Sequence, residues 1–526
     1  MADVLTVPAP SAFNTFVVPR LADVRPEIFV RRDQLPSALL AAEADTLGWD
    51  CVNAITLPKV NEALSASGLY PRSFSTTIQP GWTLDGTFGA WRLVRGGSGA
   101  IVFLRAPLPT AHMSFTGTPD LSFTDGWATV SIKLQYLPQP PAGAAKGEGA
   151  EADAPSGDKD GDPEYLASDV QARSDDDPAA VVQAIDYGSA KPSEMQKALF
   201  AGAMASWFNA NLAQFTYVFT VVNLNARAAK EQFQWLKPTY TSYAYFNGVD
   251  DDNSYFGVLN MTSGQQPTGL TNQLPPSAIP PNCNASILVS NNMFLRQMIL
   301  PGLTKSFTGT TESSFTIAAN GKVIESLVNI TLDKINISGS NYTPVMTSFT
   351  LQVVGDEIQI DTMTTVNISP GINVYIKATE YYSIVLVDKP DGGGQTLDFA
   401  KAREAKRDHW VKTDLWVDIT VGIVALAGAV ATTVAGKLIE TLARRIIAVV
   451  IIGLIAGLLA AIPKIIALVM DGKAAEALPA IGELVMEASS DVAWPDATGL
   501  TLVSAGLNGS LQLGGVLQIQ SKPPKE

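Results

Sequence analysis

Apolar and polar residues alternate strictly from Trp127 to Tyr136. Ala128, Val130, Ile132, Leu134 and Tyr136 share one parity, and Trp127, Thr129, Ser131, Lys133 and Gln135 the other. A period of two is a strand with one buried face. The same period returns at Phe215, Tyr217, Phe219 and Val221, and at Ile324, Val328, Ile330 and Leu332. It appears again at Phe349, Leu351 and Val353, and at Ile372, Val374, Ile376 and Ala378. Gly86 to Ala106 reads as a hairpin whose turn uses Gly96, Gly97 and Gly99, and Asn320-Gly321 is a two-residue hairpin turn.

Helical spacing is rarer. A helix is expected from Leu57 to about Ala66, with Pro58 in its first turn. Ser193 is placed to cap a second, in which Met195, Leu199, Ala203 and Trp207 recur every four residues and Phe208 widens the stripe. Met293, Phe294, Leu295, Met298 and Ile299, preceded by Asn291, form a short third. Long amphipathic antiparallel strands with a few apolar helices occur twice. This predicts an α+β chain of two modules, 1–280 and 281–526, divided where Pro275, Pro276, Pro280 and Pro281 stiffen the chain.

Residues 415–470 stand apart. Ile419–Gly436 is uncharged, and Ile446–Ile462 is seventeen apolar residues. Lys437, Glu440, Arg444 and Arg445 lie between them and read as the connector of a helical pair. Gly428, Thr432 and Gly436 on one helix, and Gly453, Gly457 and Ala461 on the other, are small-residue stripes suited to close helix approach. A membrane-inserting hairpin and a pair of buried helices both fit. The run from Ile446 spans about 25 Å, short of a ~30 Å hydrocarbon core, which favours burial.

Charge changes the picture in one place. The formal net charge is −14 with only 16% charged residues. From Pro138 to Pro178 eleven acids face three bases, so this segment alone holds −8. Residues 139–162, rich in Pro, Gly, Ala and acid, are expected to be a disordered acidic loop. The near-neutral remainder lacks the clustered cations of a general nucleic-acid binder, so no nucleic-acid partner is expected. One basic stretch interrupts it: Lys401, Arg403, Lys406, Arg407 and Lys412. These are the candidate membrane-contact residues. Glu404 and Asp408 among them leave a solvated helix face as the plainer alternative.

Catalytic signatures are missing. The sequence holds no P-loop, dinucleotide fingerprint, His-Glu-x-x-His or Gly-x-Ser-x-Gly. His112 has Ser114 and Asp120 nearby in sequence but nothing that makes them a triad, and His409 beside Trp410 reads as a helix-surface residue. Asp250, Asp251, Asp252 and Asn253, like Asp158, Asp160 and Asp162, fall short of a calcium loop and read as solvated turns. Cys51 and Cys283 give neither a disulfide framework nor a zinc site, so no metal and no cofactor is expected. The first residues lack the basic start and apolar core of a signal peptide, which predicts synthesis in the cytoplasm; release and action outside the cell stay open.

Several segments together resemble a known group. They are Gly48-Trp49-Asp50 with Val60-Asn61, Phe233-Gln234-Trp235-Leu236-Lys237-Pro238, and Tyr255-Phe256-Gly257-Val258-Leu259. Pro275, Ile279-Pro280, Phe294-Leu295 and Leu300-Pro301-Gly302 continue the series, which ends at Trp494-Pro495 and Leu507-Asn508-Gly509-Ser510-Leu511-Gln512-Leu513-Gly514-Gly515. In this order they resemble the forty-seven-kilodalton and OrfX accessory proteins of clostridial neurotoxin gene clusters, within the tubular lipid-binding (TULIP) superfamily. The resemblance implies long helices wrapped by curved antiparallel sheets, used twice, and a non-enzymatic role in toxin delivery or oral toxicity to insects. It also implies an apolar groove able to hold lipid, for which Val130, Ile132, Met195, Leu199, Trp207, Phe215 and Phe219 are the candidate walls. The expected partners are a lipid or membrane surface and sister toxin-cluster proteins. A membrane-inserting toxin and a structural partner in a complex are the alternatives.

Overall fold

The fold was taken from a computed structural model, which describes residues 43–519 apart from 99–100, 117, 138–162, 170–177, 224–230, 415–420, 457–479, 482–484, 486–491 and 496. The acidic loop 139–162, and Gly457 and Ala461 with the rest of 457–470, lie outside the described residues.

Strand β1 (Cys51–Thr56) runs directly into α1 (Leu57–Ser67), where Pro58 sits in the first turn and Gly68 closes the helix at φ +62°. Then come β2 (Ser73–Gln79), β3 (Trp82–Thr87), β4 (Arg92–Ser98), β5 (Ile101–Phe115), β6 (Thr118–Leu137), β7 (Pro163–Ser168) and β8 (Ala180–Asp186). Helix α2 (Glu194–Asn211) starts at a capping box: Ser193 Oγ accepts from Gln196 N, and the Gln196 side chain accepts from Ser193 N. Strands β9 (Val218–Asn223), β10 (Pro238–Phe246), β11 (Tyr255–Thr262) and β12 (Ala285–Val289) follow. Helix α3 covers 291–306, with Ser290 as its cap and a π-turn at Phe294–Ile299.

The second half adds short strands β13 (Phe315–Ile317), β14 (Val323–Ser326), β15 (Ile330–Thr331), β16 (Ile335–Ile337) and β17 (Ser340–Tyr342). Longer ones come next: β18 (Val345–Val354), β19 (Glu357–Ser369), β20 (Ile372–Asp388), β21 (Gln395–Lys401) and β22 (Lys406–Thr413). Helix α4 covers 421–456, and β23 (Val492–Ala493), β24 (Ala497–Leu507) and β25 (Leu511–Ile519) end the described chain.

Every described strand pairing is antiparallel. The chain is thus α+β with few helices. A central six-stranded sheet runs β10-β11-β1-β12-β25-β24 and takes strands from both ends of the sequence. Pro275 to Asn282 forms a loop against this sheet, with Ala278 and Ile279 fully buried. On the sheet's other face lie two cores side by side. One joins Ile55, Phe256 and Leu517 to α1, α2 and the nine-stranded sheet built on β5 and β6. The other joins Val289, Leu511 and Leu513 to α3, the buried half of α4 and the eight-stranded sheet of β18–β20.

Five sequence expectations about the elements need correction. The hairpin at Asn320-Gly321 turns through four residues, 319–322, rather than two. The expected strand from Ile324 to Leu332 is two short strands, β14 and β15, with Val328 exposed between them. Val221 is only half-buried, whereas Val222, of the opposite parity, is buried against Val258 and Val492. Residues 406–413 are a strand, not a helix face, so His409 is a strand residue. Lys437 to Arg445 is no connector: α4 passes through it without a break, as Val421–Thr433, a π-turn at Val434–Leu438, and Ile439–Ala456. Lys, Glu and Arg are good helix formers, and Glu440 pairs with Arg444 one turn later at 2.7 Å.

Candidate functional site

The candidate groove residues meet, with one exception, in the core of the first half. Val130, Ile132, Trp207, Phe215 and Phe219 are buried together, and half-buried Leu199 packs against them. Val130 and Ile132 present the inward parity of β6, as the alternation required. Trp91 stacks on Phe215 at 5.2 Å, and Phe88 contacts Trp207 at 5.3 Å, so aromatic rings fill the space beneath α2.

Met195 is the exception, at 60% exposure. A spacing of four advances about 400° along a helix, so each step drifts about 40°. Three steps back from Trp207 carry Met195 about 120° off the buried face. The true stripe is Phe200, Ala203, Met204, Trp207 and Phe208.

The five candidate membrane-contact residues divide. Lys401 pairs with Glu404 at 3.2 Å. Arg403 pairs with Glu357 at 3.0 Å and lies 3.6 Å over the Tyr381 ring. Arg407 donates to Glu380 at 2.7 Å and to Glu440 at 3.3 Å. Burial works against the Arg407 charge, but Glu380 and Glu440 outweigh it and raise its pKa. All three are thus engaged in ion pairs, but only Arg407 reaches a buried partner. Lys406 and Lys412 have no ion-pair partner among the described residues.

Lys406 and Lys412 sit on β22, which pairs with β20 and has no further strand on its outer side among the described residues. Residues directly opposite in an antiparallel pair share a face. Val374, Ile376 and Ala378 of β20 face α4, and Val411, His409 and Arg407 lie opposite them. The outer face therefore carries Lys406, Asp408, Trp410 and Lys412 beside Tyr375 and Lys377. Trp410 stacks on Tyr375 at 5.5 Å with the rings nearly parallel, and it is 43% exposed. Three lysines lie there with Asp408, and Asp361 follows one strand further on, where it accepts from Thr379; Asp408 Oδ1 already accepts from the His409 backbone N–H.

Helix α4 begins beyond this strand. Ala427, Val430, Ala431 and Val434 pack on β20, and Ile446 to Ile451 are buried in the second core. The first turns are bare: Val421 is 88% exposed and Val424 57%. Val421–Ile451 is long and apolar enough to cross a membrane, yet its second half is core. Gly428 and Gly436, from the expected stripe, meet no atom at the position of a Cβ.

An open cavity of about 530 Å³ with a mixed polar and apolar lining lies elsewhere, on the outer face of β3, β5 and β6. His112 lies there with Ser122 and Asp85, not with Ser114 and Asp120. The register of the β5–β6 hairpin sets His112 opposite Ser122, a pairing that spacing along the chain does not give. Asp250 to Asn253 is a capped turn, where Asp250 Oδ1 accepts from Asn253 N at 2.9 Å.

The family described as OrfX-like, Protein OrfX2/OrfX3/P47, matches residues 46–515. Protein OrfX3 of Paraclostridium bifermentans is 26% identical over 514 residues, covering 91% of this chain and 99% of that protein. Protein OrfX3 of Clostridium botulinum (strain Kyoto / Type A2) is 28% identical over 518 residues, covering 91% and 100%. Among solved structures, P47 from Clostridium botulinum A2 superposes with a TM-score of 0.60 at 15% identity, covering 90% of this chain and 98% of that one. P47 of Clostridium botulinum E1 gives 0.57 at 14% identity, covering 90% and 100%.

Proposed function

The chain belongs to the OrfX-like family, and from that premise we propose that it is a non-enzymatic accessory protein of a toxin gene cluster that docks on an anionic lipid surface. The observation that carries this is the outer face of β22. Lys377, Lys406 and Lys412, without ion-pair partners among the described residues, surround an exposed Trp410. Cations attract anionic headgroups, while a tryptophan side chain gains by entering the interface. The two cores with their helices are then TULIP-like modules, and lipid is met at the surface beside the second, with the rings under α2 serving as solid core. The protein would be made in the cytoplasm and act after release, against insects or another host.

Flotation with phosphatidylcholine/phosphatidylserine vesicles tests this. Each lysine near such a surface contributes about 1 kcal/mol, so replacing Lys406 and Lys412 by Ala should weaken binding by roughly 30-fold. Binding should also weaken with added salt. Equal flotation with pure phosphatidylcholine, or none with either, would sink the proposal.

A second reading is favoured by the free edge of β22: a sister protein of the cluster adds a strand there. A pull-down against such proteins, repeated with a proline at His409, separates the two. Proline would abolish strand addition and leave flotation intact.

A further inference from the structure

We propose that the outer face of β3, β5 and β6 is a binding site for a neutral polyhydroxylated ligand, a sugar ring, read by Asp85, His112 and Ser122. Ladder register aligns the three directly across neighbouring strands: Asp85 opposite His112, and His112 opposite Ser122. His112 Nδ1 and Ser122 Oγ are 2.8 Å apart, which fixes the ring and leaves Nε2 free for a ligand. The Asp85 carboxylate has no hydrogen bond or ion pair among the described residues and is exposed to the cavity. The next row along the same face is Thr87, Thr110 and Thr124, with Thr87 and Thr110 hydroxyls bonded at 2.8 Å.

The site is shaped as well as polar. Gly86 lies in the floor between Asp85 and Thr87, and on its core side the space of a Cβ is taken by Phe74 and the Thr110 carbonyl. Ser189 and Ala190 form one wall, on a loop held by Gly188 N donating to Asp186 Oδ1 at 2.7 Å. Gly188 has φ +58°, a conformation that favours glycine. A cavity of about 530 Å³ falls in the size range of small-ligand sites.

The lining chemistry selects the ligand class. No Lys or Arg lines the cavity and a carboxylate does, which disfavours a phosphate or other anion. One imidazole and one carboxylate are too few to hold a metal ion. An acyl chain would strip water from hydroxyls without replacing their hydrogen bonds. A sugar ring satisfies them all: its hydroxyls donate to Asp85 and exchange hydrogen bonds with His112, Thr110 and Thr124. The site is separate from β22, so it stands or falls independently of lipid docking.

Saturation-transfer NMR on the full chain with galactose, mannose and N-acetylglucosamine, each added alone, tests the site. Transfer to the ring protons of at least one sugar is expected. Asp85→Asn and His112→Ala should weaken that sugar's binding by roughly tenfold or more, while unfolding midpoints stay near that of the parent. Both positions lie on the open face of the sheet, and Asp85→Asn keeps the shape of its side chain. No transfer to any of the three sugars, or transfer undiminished in both variants, would overturn the proposal.

Discussion

Arg407 donates through Nε and Nη2 to one oxygen of Glu380, at 3.0 and 2.7 Å, and Glu380 is only 1% exposed. The second oxygen, Oε2, is buried without a hydrogen bond. The pair ties β22 to β20, and through Glu440 it also ties β22 to α4. Replacing Arg407 by Met would leave a buried carboxylate with no counter-charge. The expected cost is about 3 kcal/mol, measured by urea unfolding. Adding Glu380→Gln should recover part of it, because the penalty belongs to the stranded charge. Full additivity of the two changes would contradict this account.

Two carboxylates should give opposite pH signatures. Burial alone would raise the Glu440 pKa, but Arg444 and Arg407 outweigh it and hold Glu440 below the usual range. A lowered folded pKa stabilises above the unfolded value, and that gain is lost as pH falls through the carboxylate range. The stability gap between the parent and Glu440→Gln should therefore be widest near about pH 7 and shrink towards about pH 3. Asp50 runs the other way. Burial raises its pKa more than the bonds from Thr262 N and Oγ1 lower it. Its ionised form is the costly one, so the parent should outperform Asp50→Asn by more at about pH 3 than at about pH 7. Thermal unfolding across that range reads both slopes.

Much of this fold was legible because period-two patterns survive burial. Val130 and Ile132 face inward as the alternation required, and so do Val374, Ile376 and Ala378. The segments resembling the OrfX group also gain a place. Trp49 Nε1 donates to Thr271 O, Asp50 accepts from Thr262, and Gln512 Nε2 donates to Ser277 O, all around the central sheet. What stayed hidden was long-range pairing. Nothing local says that Cys51 pairs with Val289, or Leu288 with Gln512. Charge also misled: Lys437 to Arg445 looked like a turn, yet helix formers with an internal ion pair continue a helix. The basic stretch looked like one surface, and its strand geometry split it into three residues used in ion pairs and two left free.

Gly302 of α3 and Val449 of α4 set the spacing of those two helices. A Cβ on Gly302 would overlap Val449 Cγ1. Gly302→Ala should therefore cost about 1–3 kcal/mol from overpacking, despite the better helix propensity of alanine. Val449→Ala should cost about 1 kcal/mol alone and relieve much of the damage when combined. A double-mutant cycle by chemical denaturation measures the coupling. A value near zero would mean the helices part freely at this point.

The frame of α2 can be tested at two neighbouring apolar residues. Met195 lies in the first turn at 60% exposure, while Phe200 is fully buried between Phe123 and Tyr187 at ring distances of 5.2 and 5.8 Å. Met195→Lys should change stability by no more than about 0.5 kcal/mol, as for other open surface sites. Phe200→Ala should cost about 3–5 kcal/mol, the range for removing a buried aromatic ring. Unfolding midpoints with an unchanged m-value would show both effects in the native state. Were Met195 a groove wall on the same face as Trp207, its replacement would cost several kcal/mol as well. A small change at Met195 with a large one at Phe200 fixes which side of α2 meets the sheet.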